Sequence, residues 1–75
     1  MPTMADPRPV QWFRYDVFAL ALRESGFTQR SLAERLGVTQ TTVSRWANGR
    51  RQPTREQAVQ LETLLGHDLI RSEYR

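Results

Sequence analysis

Residues 28–49 read TQRSLAERLGVTQTTVSRWANG. The stretch divides into two short helical patterns separated by Gly37. Thr28 stands before the first as an N-cap, because a threonine oxygen accepts a hydrogen bond from a first-turn amide that has no partner inside the helix. Leu32, Ala33 and Leu36 make its inward stripe, while Gln29, Arg30, Glu34 and Arg35 point elsewhere. Ala33 is small, which lets another helix pass close. Gly37 ends the pattern, since glycine takes the left-handed conformation without a Cβ penalty. Val38 is the apolar plug of the turn. Thr39 caps the second pattern, and Asn48-Gly49 stops it.

Advancing each residue by about 100° around the second helix sorts its side chains. Gln40, Thr41, Ser44, Arg45 and Asn48 fall on one arc. Val43, Trp46 and Ala47 fall opposite, with Thr42 at the border. A surface helix with a purely structural task segregates polar from apolar residues too, but favours Glu and Lys on its wet face. This arc has no acidic group. It offers the amide, hydroxyl and guanidinium groups that hydrogen-bond base edges and phosphates. Two short helices joined by a tight turn form a helix-turn-helix unit, whose second helix enters the major groove of DNA.

Charge distribution points the same way. All 11 basic residues are arginine. The total reads as codon bias; the placement carries the information. Residues 1–26 balance Arg8, Arg14 and Arg23 against Asp6, Asp16 and Glu24. Residues 27–55 set Arg30, Arg35, Arg45, Arg50, Arg51 and Arg55 against Glu34 alone. Residues 56–75 set Arg71 and Arg75 against Glu56, Glu62, Asp68 and Glu73. The basic excess therefore coincides with the two-helix unit, as a phosphate-binding surface requires.

Outside that unit the chain reads as one small domain. Residues 1–9 hold three of the four prolines and read as a flexible arm; Arg8 offers it a DNA contact. A first helix is predicted over 10–25, with Phe13, Val17, Leu20 and Ala21 at helical spacing, Phe18 and Leu22 beside them, and Gly26 as the stop. The two-helix unit supplies helices over 29–36 and 40–48. Gly49-Arg50-Arg51-Gln52-Pro53 is a basic turn. Thr54 then caps a helix over 55–65, with Gln57 in the capping-box position. Ala58, Leu61 and Leu65 face inward, and Gly66 ends it. Residues 10–66 make the domain. The tail, 67–75, holds Leu69, Ile70 and Tyr74 and reads as an extra turn, a dimer contact or a frayed end.

The motifs T-Q-x-x-L-A-E-R-L-G-V-T-Q, T-V-S-R-W and N-G-R-R-x-P-T, in this order and spacing, resemble the Cro and phage-repressor (XRE-like) family of helix-turn-helix regulators. The match spans about Leu22 to Gly66. It implies an all-α, lambda-repressor-like bundle of four to five helices that binds operator DNA, typically as a homodimer, and represses transcription. Carried over by position, it implies that Gln40, Thr41, Ser44 and Arg45 face bases. It also implies that Gln29, Thr39, Asn48, Arg50 and Arg51 meet phosphates. Many members carry a Glu before the Asn-Gly, paired with an Arg at the end of the first helix. Here those positions are Ala47 and Leu22, so an apolar contact is expected instead. Trp46 stands where a smaller aliphatic is common and is expected to fill the core.

Other chemistry is poorly served. With no cysteine there is neither a disulfide nor a thiolate metal site. His67 is a lone histidine past a helix end, without companions at ligand spacing. Glu56 and Glu62 read as a solvated face rather than a catalytic pair. There is no Gly-rich phosphate loop. No enzyme activity, cofactor, metal or small-molecule ligand is expected. The longest apolar run, Val17 to Leu22, is too short to span a membrane, and no signal-peptide layout precedes it. The expected location is the cytoplasm, on the nucleoid. The expected function is a DNA-binding repressor of phage or mobile-element type. The alternative is an antitoxin or other interaction module that also binds DNA, for which the acidic final third would serve a protein partner.

Overall fold

Local capping decides where the helices begin and end. The computed structural model describes residues 11–75. The proline-rich arm and Val10 lie outside the described residues. Among the described residues four α-helices follow one another, α1 Tyr15–Ser25, α2 Gln29–Leu36, α3 Gln40–Ala47 and α4 Arg55–Leu65, with a 3-10 turn at Ser72–Tyr74. The architecture is all-helical, as expected, and α2, α3 and α4 match their predicted spans to within one residue. Thr28 accepts from Ser31 N at 2.9 Å, and Ser31 Oγ accepts from Thr28 N, closing a capping box. Thr54 and Gln57 make the same reciprocal pair at the head of α4. Gly37 lies at φ 72°, and Val38 N donates to Ala33 O at 3.0 Å, the Schellman closure that turns the chain between α2 and α3.

Phe18, Leu22, Leu32, Ala33, Val43, Trp46, Ala58 and Leu61 meet in one core, so every helix contributes to it. Trp46 is its largest member and only 1% exposed. Its ring meets that of Phe18 edge-on at 6.4 Å. Phe18 in turn packs on Phe13 at 5.5 Å.

Expectations are corrected at both ends of the described residues. The first helix does not begin near Val10; residues 11–14 are non-helical and α1 starts at Tyr15. The reason is that the amides of this segment are engaged elsewhere. Trp12 N and Phe13 N donate to Gln52 Oε1, and Arg14 N donates to Leu69 O at 2.8 Å. Phe13 forms an isolated antiparallel bridge with Ile70, too short to be a strand. It is buried as its helical spacing implied, on a different backbone. Leu20, placed on the inward face, is 55% exposed.

The second correction concerns the tail. Leu69 and Ile70 are 0% and 4% exposed, so they complete the core of their own subunit and offer no dimer contact. Glu62 holds them there. Its carboxylate accepts from Leu69 N at 2.7 Å and from Ile70 N at 3.3 Å, and it pairs with Arg75. Glu62 is therefore not part of a solvated face. Burial pushes its carboxyl upward, but the Leu69 and Ile70 amides and the Arg75 guanidinium outweigh this and hold it below the ordinary glutamate value.

A carboxyl lowered on folding stabilises the fold in full above its unfolded value. That contribution is lost as pH falls through the lower folded value. Glu62→Gln should therefore cost stability at pH 7 and progressively less toward pH 3. Urea melts of both proteins across that range check this. A gap that stays constant with pH would contradict it.

Candidate nucleic-acid interface

The exposed side of α3 is set by what its opposite side buries. Val43 and Trp46 are sealed in the core, with Ala47 half-buried beside them. The helix therefore turns Gln40, Thr41, Arg45 and Asn48 to solvent, with Ser44 half-buried among them. This is the arc that the 100° periodicity groups together, and it carries no carboxylate. Thr39 caps the helix. Its hydroxyl accepts from Thr42 N at 3.2 Å and lies 2.9 Å from the Thr42 hydroxyl. Asn48 occupies the C-terminal cap, where its N–H donates to Ser44 O at 3.0 Å.

The chain leaves α3 through Gly49, whose φ of 73° a side chain would strain. Arg50 N and Arg51 N then both donate back to Arg45 O, at 2.9 and 3.3 Å. This curl brings the two exposed arginines in behind the last turn of α3. Among the described residues Arg45, Arg50 and Arg51 make no ion pair. Their charge is therefore available to an anionic partner. The pair Arg30–Glu34 on α2, 3.7 Å apart and well exposed, is worth little to stability.

Gln29 is the first residue of α2 and is half-buried. It lines a surface hollow with Ala19, Leu22, Arg23, Phe27 and Ala47. Leu22 and Ala47 thus face one hollow. Of the predicted site residues, α3 and its loop bring Gln40, Thr41, Ser44, Arg45, Asn48, Arg50 and Arg51 into one continuous run. Gln29 stands on the neighbouring helix, and the Thr39 hydroxyl is occupied with capping.

Three residues that sequence reasoning passed over also shape the site. Gln11, Tyr15 and Gln52 hold the loop after α3 against the start of the described chain. Their partners lie more than thirty residues away, so no local pattern announces them.

Among the described residues no group of side chains is arranged to hold a metal ion. No described helix is long and apolar enough to cross a membrane. A helix-turn-helix family model matches residues 19–69, more than half of the chain. Curated proteins and solved structures give no match. The matched span contains most of α1, the α2–turn–α3 unit, the arginine loop and α4 with Leu69. The chain belongs to the helix-turn-helix family of Cro and phage-repressor (XRE-like) type, and is a sequence-specific DNA-binding regulator of transcription.

Proposed function

We propose that the protein is a repressor of phage or mobile-element type that binds a two-fold symmetric operator as a dimer, with α3 in the major groove. The observation that carries this reading is the acid-free arc of α3 running into Arg50 and Arg51. Gln40, Thr41, Ser44 and Arg45 read base edges. Gln29, Thr39, Asn48, Arg50 and Arg51 meet the phosphates and fix the register.

The dimer follows from the size of the readout. One recognition helix presents about four side chains, and each wrong base pair costs only about 1–3 kcal/mol, too little to single out one genomic site. Symmetry doubles the readout. Since Leu69 and Ile70 are spent in the core, association in solution is weak and tightens on DNA.

Two substitutions test the division of labour. Arg45→Ala should cost about 1–3 kcal/mol on the preferred duplex and relax preference at one base position. Arg50→Ala should weaken every duplex by a similar factor and make the salt slope shallower by about one unit per subunit. Titrations of both variants against preferred and mixed-sequence duplexes measure this. Equal loss on both duplexes from Arg45→Ala would remove the base-reading role.

A further inference from the structure

The loop that carries Arg50 and Arg51 is anchored on both sides. On one side is Gly49. Gln11 Nε2 donates to its carbonyl at 3.3 Å, and the Tyr15 ring lies so close that a Cβ at this position would stand 3.1 Å from it. On the other side is Gln52. Its Oε1 accepts from Trp12 N at 2.7 Å and from Phe13 N at 3.0 Å. The two arginines stand between these anchors, both exposed.

The segment they are anchored to is itself fixed. Phe13 is in the core. Arg14 N donates to Leu69 O, Arg71 N to Trp12 O at 2.9 Å, and Arg71 Nε to Gln11 O at 2.8 Å. Residues 11–14 belong to no helix, so their amides need acceptors from elsewhere. One carboxamide oxygen serves two of them. An apolar side chain of the same shape would leave both without that acceptor and release the loop. Ordering two arginines before DNA arrives lowers the entropy lost when phosphates are engaged.

We propose that Gln52 is a positioning residue for DNA binding, holding the Arg50–Arg51 loop in register with α3 by fastening it to the Trp12 and Phe13 backbone. This rests on the phosphate-contact reading of Arg50 and Arg51. Gln52 acts through them and has no need to touch DNA.

The test is a double-mutant cycle on the full chain, with a duplex selected from a random pool as the probe. It compares the parent, Gln52→Leu, the Arg50→Ala/Arg51→Ala double variant, and the triple variant. Gln52→Leu should lower affinity about tenfold, the size expected when two arginine side chains must be ordered on binding rather than beforehand. In the arginine-free background it should change affinity by less than about twofold, because the groups it positions are gone. Amide exchange at Trp12 and Phe13 should quicken in Gln52→Leu.

An equal loss in both backgrounds would mean that Gln52 only stabilises the fold, and would overturn the proposal. Parent-like binding by Gln52→Leu, alongside weakened binding by the double arginine variant, would overturn it and leave the phosphate reading standing. Parent-like binding by the double arginine variant would overturn both. If Gln52→Leu does not fold, Tyr15→Ala removes the other anchor at the exposed start of α1, and Tyr15→Phe keeps the ring. A loss confined to Tyr15→Ala and absent without the arginines supports a positioned loop. A loss that persists without them overturns it.

Discussion

Trp46→Ala should cost about 3–5 kcal/mol of unfolding free energy, a large share of what a small domain has. Trp46 is the largest fully buried side chain and sits where helices from both halves of the chain meet. Its removal forfeits the edge contact with Phe18 and opens a hole in the shared core. A 75-residue chain without disulfides has little means of refilling it. The effect reaches the interface as well. Trp46 and Val43 are what orient α3, so their loss frees the polar arc to rotate. Chemical denaturation of the two proteins measures the loss. A variant that melts within about 1 kcal/mol of the parent would mean that Trp46 is not a core anchor.

The second large effect is on DNA affinity through salt. With about two to three cationic phosphate contacts in each subunit of a dimer, log affinity should fall against log salt with a slope of about −4 to −5. Between 50 and 200 mM salt that is a loss of roughly 300- to 1,000-fold. On the proposed reading Arg50 and Arg51 should supply most of it, because neutral groups such as those of Gln29 and Asn48 would meet phosphate without releasing counterions. Titrations at four or five salt concentrations give the slope. A slope near zero would contradict binding through this basic surface.

Much of the scaffold is legible from local chemistry. Thr28, Thr54 and Gln57 act on amides three residues away, and Gly37 and Gly66 close the helices that precede them, so caps and stops alone place α2 and α4. The arc of α3 is legible because burial of Val43 and Trp46 leaves one rotation of the helix available. The start of α1 is different. Phe13 fits helical spacing and is buried, yet its amide answers to Gln52, thirty-nine residues on. The tail misleads in the same way. Leu69 and Ile70 are apolar and lie beyond a helix stop, yet the Glu62 carboxylate, seven and eight residues back, and the backbone of residues 13 and 14 hold them inward. The anchors of the arginine loop, Gln11, Tyr15 and Gln52, belong to this second class. Each is an ordinary polar or aromatic residue until the two distant segments are brought together.

Selection from a pool of random duplexes, followed by sequencing of the bound fraction, tests whether α3 reads DNA sequence. The enriched motif should have approximate two-fold symmetry and half-site centres about one helical turn, roughly 10–10.5 base pairs, apart. The same selection with Arg45→Ala should lose preference at one position of each half-site and keep the spacing. A pool that remains unenriched, or a motif unchanged by Arg45→Ala together with Gln40→Ala, would contradict the assignment of α3 as the helix that reads DNA.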